Sequence, residues 1–242
     1  MNLIIEQGNT TTKVAVYHQR QLKASYIYKE FKCELLTELF ERFPLKQGIL
    51  SSVIEVQEFL PVCLREKLDK FIFLDEKTPL PIKVGYETPH TLGHDRLAAA
   101  VGGHTLQPNR NLLIIDAGTA ITYDVVEASG LYPGGNISPG MTTRFRALHD
   151  YTQKLPLVAE QEEIPLIAAN TTAAIRAGVV NGIVFEMDGY INELRLKHPD
   201  LFVFLTGGHS FYLRGRLKNC IFADINLVLT GLNRILEYNV EN

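Results

Sequence analysis

Leu3-Ile4-Ile5-Glu6-Gln7-Gly8-Asn9-Thr10 stands near the N-terminus, with Thr11-Thr12-Lys13-Val14-Ala15-Val16-Tyr17 directly after it. The same pattern returns as Leu112-Leu113-Ile114-Ile115-Asp116-Ala117-Gly118-Thr119, followed by Ala120-Ile121-Thr122-Tyr123-Asp124-Val125-Val126. Each copy reads as a buried apolar strand, an acid, a glycine turn, hydroxyl residues and a second strand with partial alternation. Such a unit is a β-hairpin whose tight turn carries a carboxylate at its edge. Two copies, each at the head of one half of the chain, predict two similar domains facing each other.

Between the two copies, the polar, turn-rich Gln107-Pro108-Asn109-Arg110-Asn111 marks the expected boundary, giving domains of 1–110 and 111–242. Helical apolar spacing covers 33–43 and 56–70, and Ile49–Val53 and Phe71–Leu74 read as short strands. A helix is expected from Gly93 to Leu106, its Ala98, Ala99, Ala100 and Val101 permitting close packing. In the second half, Leu131–Gly140 reads as a strand with a Pro-Gly-Gly turn. A long helix over 171–196 follows from Ile175, Val179, Ile183, Met187, Tyr190 and Leu194. Leu201–Leu205 is a buried strand running into Thr206-Gly207-Gly208. A last helix, about 225–239, can pack back on the first domain. Alternating strands and helices define an α/β class.

Bulk properties exclude several functions. The chain has 242 residues and a formal net charge of -3, with Lys and Arg scattered, so no basic field awaits a nucleic-acid backbone. No apolar run approaches the roughly 20 residues that span a bilayer. The first residues enter a strand pattern without a basic leader or cleavage site. Three cysteines, Cys33, Cys63 and Cys220, lack paired spacing, so neither a disulfide framework nor a zinc site is expected. A cytoplasmic protein without nucleic-acid or membrane partners is the expectation.

The residues able to carry chemistry gather at the turns. In Glu6, Gln7, Gly8, Asn9, Thr10, Thr11, Thr12 and Lys13, glycine allows a phosphate close approach, and amide and hydroxyl groups supply donors. Lys13 offsets phosphate charge, and the carboxylate can hold Mg²⁺ through water. This is neither a Walker A loop nor a dinucleotide fingerprint. Alone, it equally describes a polar surface turn. With the second copy, Asp116 to Thr119, a polar surface turn must explain the repeat as well as the composition, whereas two such hairpins can grip one nucleotide's phosphates from both sides. Gly207 and Gly208 either admit a flat nucleoside or simply turn a strand into a helix. Asp95, in Gly93-His94-Asp95-Arg96, reads as a general base or as a helix cap, and Arg96 as an anion ligand or a solvated charge. Pro133 to Gly140 reads as a substrate wall or a double turn. Asn170-Thr171-Thr172 caps a helix or faces a ligand.

Taken in order, Glu6–Thr10, Gly93–Arg96, Asp116–Thr119, Gly134–Gly140, Asn170-Thr171 with Ala174-Ile175 and Gly178, and Thr206–Gly208 resemble the type III pantothenate kinases. These belong to the acetate and sugar kinase, Hsc70 and actin superfamily. The resemblance covers nearly the whole chain. It implies two similar actin-like (ribonuclease H-like) domains, with mixed β-sheets flanked by helices and a nucleotide cleft between them. It implies phosphorylation of pantothenate by ATP to 4′-phosphopantothenate, the first step of coenzyme A synthesis. Glu6 to Lys13 would be the phosphate loop, Thr119 an ATP contact, and Asp95 the proton acceptor within the substrate run Gly93 to Arg96. Tyr86 and Thr171 would contact pantothenate. Asp116 would sit at a site for K⁺ or NH₄⁺, and a homodimer would bring the acceptor pocket near its interface. One departure stands out: the family usually carries Asp where this chain has Glu6, a shift of the carboxylate by roughly 1–1.5 Å against strict Mg²⁺ geometry.

Two other readings compete. One is a different kinase or a phosphatase of the same fold, which would keep the hairpins. The other is a nucleotide-sensing regulatory protein without catalysis, which the lack of any DNA-binding module or basic face disfavours.

Overall fold

The computed structural model describes residues 1–241. In chain order the first elements are β1 (Asn2–Gln7), β2 (Thr12–His18), β3 (Gln21–Tyr28), α1 (Cys33–Arg42), β4 (Gln47–Ser52), α2 (Phe59–Lys67), β5 (Lys70–Phe73), β6 (Lys83–Val84) and α3 (His94–Leu106). Then come β7 (Leu112–Ala117), β8 (Ala120–Val126), β9 (Leu131–Tyr132), β10 (Gly134–Pro139), α4 (Met141–Asp150), α5 (Thr171–Lys197), β11 (Phe202–Thr206), α6 (Ser210–Arg214), β12 (Phe222–Ala223) and α7 (Leu227–Glu241).

These form two compact units. One holds Met1–Pro108, Gly130–Pro133 and the chain from Asn226 onward; the other holds Asn109–Ser129 and Gly134–Ile225. Each contains a five-stranded sheet, ordered β3-β2-β1-β4-β5 in the first and β10-β8-β7-β11-β12 in the second. In both, the leading strand lies at the centre, antiparallel to its hairpin partner and parallel to the strand on its other edge. Apart from its acid, each leading strand is buried along its whole length, which is why its sequence is a continuous apolar run and not an alternation. The duplicated hairpin of the sequence is thus a duplicated sheet, and the fold is α/β.

In the first unit, Leu3, Ile5, Val14, Val16 and Leu50 meet Leu36 and Leu39 of α1 and Leu60 and Leu64 of α2. On α3 and α7 the contact is backbone to backbone. A Cβ on Gly231 would fall 1.8 Å from the Ala98 carbonyl oxygen, and one on Gly102 would fall 2.2 Å from that of Leu227. In the second unit, Leu113, Ile115, Tyr123 and Val203 pack on Ile175, Val179, Ile183, Met187 and Ile191 of α5. The Asn170 side chain caps that helix, its Oδ1 accepting the Ala173 N–H at 2.9 Å.

Some elements depart from the sequence expectation. Strand β3 and helix α4 had no counterpart in it. The single strand expected over 131–140 is two, broken at Pro133: β9 pairs in parallel with β6, and β10 is antiparallel to β8. Among the described residues no helix is long and apolar enough to cross a membrane.

Candidate active site

At the first hairpin, register sets Glu6 of β1 directly opposite Lys13 of β2, and their side chains form an ion pair at 3.1 Å. The Gly8 N–H donates to the Thr11 carbonyl at 3.0 Å and closes the turn. The Gln7 carbonyl accepts the Val53 N–H at 3.0 Å, fixing the hairpin to the end of β4. Asn9 and Thr10 are exposed at the tip, Thr11 is half-buried and Thr12 is buried. The donors offered to a ligand are therefore the tip amide and hydroxyl, with one cation beside them.

Asp95 is the second residue of α3, not its cap; the cap position is Gly93, which makes no side-chain bond. Asp95 Oδ1 accepts the Arg96 N–H at 2.8 Å. A Cβ on Gly93 would lie 2.5 Å from that same oxygen, so glycine there leaves room for the carboxylate. Arg96 is buried, with its guanidinium 5.8 Å from the centre of the Tyr86 ring. Tyr86 in turn packs at 6.4 Å from Tyr132, a wholly buried residue of β9. Tyr86 is thereby set against Arg96, the neighbour of Asp95, within one unit. Tyr132, which buttresses them, was not anticipated.

The second hairpin is held more tightly. Asp116 lies beside Thr122 of β8 and Thr206 of β11. The Gly118 N–H donates to the Ala120 carbonyl at 3.0 Å, as Gly8 does in the first copy. Gly207 has φ of +90°, and a Cβ there would fall 2.4 Å from Asp116 Oδ1. The His209 N–H donates to the Ala117 carbonyl at 3.1 Å, binding the Gly207-Gly208 turn to the hairpin. Thr119 is exposed, and its carbonyl accepts from the Gly140 N–H at 3.0 Å and the Thr143 hydroxyl at 2.7 Å. Thr171, at the first position of α5, is also exposed.

Behind this hairpin lies a polar network. Glu186 on α5 accepts from the Tyr123 hydroxyl at 2.7 Å and from Arg144 at 2.6 Å. Burial works to raise the Glu186 pKa, but hydrogen bonds from Arg144, Tyr123 and Ser138 outweigh it and hold the group below its ordinary value. Burial, then the hydrogen bond to Glu186, pushes the Tyr123 phenol upward. Nothing in the sequence pairs Arg144 with Glu186, because they approach only through the packing of α4 on α5.

Two matching five-stranded sheets, each with a carboxylate beside a glycine turn at the end of its central strand, give an α/β protein of the actin-like fold. Solved structures agree on the fold. A Campylobacter jejuni protein provisionally described as a Baf family transcriptional activator aligns with TM-score 0.62 at 22% identity, covering 99% of this chain and 100% of that one. A Sinorhizobium meliloti protein provisionally described as a 2-dehydro-3-deoxygalactonokinase gives TM-score 0.61 at 12% identity, covering 99% of both. The family model described as type III pantothenate kinase matches residues 2–193. A type III pantothenate kinase of Phocaeicola vulgatus is 47% identical over 239 residues, 99% of this chain and 99% of its own. The chain belongs to the type III pantothenate kinase family.

Proposed function

We propose that this chain transfers the γ-phosphoryl group of ATP to the 4′-hydroxyl of pantothenate, the first step of coenzyme A synthesis. The observation that carries the proposal is the family match over residues 2–193, with a relative 47% identical over 99% of the chain. In the transfer the hydroxyl oxygen bonds to the γ-phosphorus, the bond from that phosphorus to the bridging oxygen breaks, and ADP leaves. Asp95 accepts the hydroxyl proton, its Oδ1 oriented by the Arg96 N–H. Tyr86, Gly93, His94, Arg96 and Thr171 contact the acceptor. Gln7, Gly8, Asn9, Thr10, Thr11, Thr12, Lys13, Thr119, Gly207 and Gly208 contact the nucleotide. Alignment and charge neutralisation do most of the work in such a transfer.

Among the described residues, no group of three or more His, Cys, Asp or Glu is placed to hold a metal ion. Glu6, the carboxylate beside the first turn, would meet through water a Mg²⁺ carried by the nucleotide's own phosphates. Such an ion would supply charge neutralisation to the transferring phosphates. Gly118 and Gly207 clear the surroundings of the Asp116 carboxylate, which fits a monovalent cation, K⁺ or NH₄⁺. The working form is a cytoplasmic homodimer.

An acceptor screen tests the reading. Incubated with Mg-ATP and a panel of small alcohols and sugars, the chain should release ADP above its basal hydrolysis only with pantothenate. Stimulation by a sugar instead, or by none, would move it to the other kinase or the regulatory reading.

A further inference from the structure

Arg144, on the first turn of α4, joins three elements around the second hairpin. Its Nε donates to the Pro139 carbonyl at 2.8 Å, and its Nη2 donates to the Ser138 hydroxyl at 2.9 Å and to Glu186 Oε2 at 2.6 Å. The other carboxylate oxygen of Glu186 accepts the Tyr123 hydroxyl of β8, the return strand of the second hairpin. From Pro139 the chain passes to Gly140, whose N–H grips the Thr119 carbonyl, and Thr143 adds a second bond to that same oxygen. A Cβ on Gly140 would fall 2.3 Å from the Gly118 carbonyl oxygen and 2.4 Å from that of Thr119. The strand end carrying Gly140 is therefore seated flush on the turn.

The contacts close a ring. It runs from β8 through Tyr123 to Glu186 on α5, to Arg144 on α4, to Ser138 and Pro139 at the end of β10, and through Gly140 back to the Thr119 turn. Arg144 and Glu186 have side chains 21% and 25% exposed, so water screens the pair only in part. A guanidinium that meets a strand-end carbonyl, a hydroxyl and a carboxylate together fixes direction as well as distance. Thr119, by contrast, is exposed and its side chain lies in a turn, so its orientation depends on what holds its carbonyl.

We propose that Arg144 and Glu186 are positioning residues for the nucleotide: through Gly140 and Thr143 they set the Thr119 turn in the orientation that receives ATP. The inference rests on the reading of Thr119 as an ATP contact, and the test separates the two.

The experiment is a double-substitution cycle on the full chain, read as Mg-ATP affinity by titration calorimetry, with the KM for pantothenate as a control. The substitutions are Arg144→Met, Thr119→Ala and their combination, with Arg144→Lys and Tyr123→Phe as milder probes should Arg144→Met fold poorly. Arg144→Met should weaken Mg-ATP by about tenfold with Thr119 present and by less than about twofold with Thr119→Ala, since coupled groups do not add. Tyr123→Phe, which removes one bond of the ring, should weaken it by about two- to threefold. Arg144→Lys keeps the charge but loses the fork, and should fall between wild type and Arg144→Met. The pantothenate KM should stay within about twofold, since independent sites add and do not couple. Equal losses in both Thr119 backgrounds, or a parallel rise in the pantothenate KM, would overturn the positioning role while leaving Thr119 as a nucleotide contact. If Thr119→Ala alone leaves Mg-ATP affinity unchanged, the reading of Thr119 falls, and the inference with it.

Discussion

Glu6 reaches Lys13 across the first hairpin because register puts them face to face and the glutamate is long enough to close the gap to 3.1 Å. Side-chain exposures of 13% and 20% keep the pair from dissolving into solvent. An aspartate at this position would fall short by roughly 1–1.5 Å, so Glu6→Asp should break the pair and release the ammonium toward the phosphates. The expected outcome is a change of about three- to tenfold in nucleotide affinity measured without divalent ion, consistent with a partly shielded ion pair. Unchanged affinity, with and without Mg²⁺, would make the longer carboxylate neutral. Gly207 offers a second residue-scale prediction. Its φ of +90° and the 2.4 Å approach to Asp116 leave no space for a methyl group, so Gly207→Ala should displace the carboxylate and remove any K⁺ activation before it unfolds the protein. Cation-dependent turnover of that variant, compared with its melting temperature, checks this. Both glycine turns and both acids could be read from the sequence because each sits inside a repeated pattern. The Tyr132 buttress behind Tyr86 could not, since an isolated tyrosine after a turn carries no periodic signal.

At the scale of elements, α3 and α7 meet with no side chains between them at Gly102 and Gly231. Gly231→Ala would drive a methyl group into the Ala98 carbonyl, and should cost on the order of 1–3 kcal/mol, read by urea unfolding. Because α3 carries Asp95, the same variant should lower turnover more than nucleotide affinity. The ring around Glu186 predicts a pH effect. Its folded pKa is lowered, so the unfolded chain binds more protons in the acid range. The stabilisation is therefore complete above the ordinary glutamate pKa and is lost as pH falls through the folded value. Unfolding free energy should drop less steeply in acid for Glu186→Gln than for wild type; equal slopes would mean that the ring does not hold in solution. Long helices with a clear stripe, such as α5, were legible in outline from the sequence. Strand β3 was not, although Leu22, Ala24, Tyr26 and Tyr28 alternate, because the turn before it has Gln19 at φ of 54° and none of the usual turn residues. Helix α4 was hidden by the glycine-rich run that precedes it.

Across the whole molecule, the duplicated hairpin was the strongest statement the sequence made, and the matching sheet orders are its physical form. Topology followed from it because a central strand must be apolar on both faces, whichever copy it belongs to. What spacing could not supply is the acceptor: a polar glycine turn carries no signature of it, and pantothenate comes from family membership. A homodimer predicts a sedimentation mass twice the 27.2 kDa of the chain, and a stable monomer with full activity would contradict it. Asp95 and its acceptor are tested together by ADP release from the purified chain with Mg-ATP and K⁺, with and without pantothenate, for wild type and Asp95→Asn. Pantothenate should stimulate release in wild type, and the variant should lose about 10²–10⁴-fold, as for removal of a general base. Stimulation that survives Asp95→Asn unchanged would contradict the assigned base, and wild-type release indifferent to pantothenate would contradict the reaction itself.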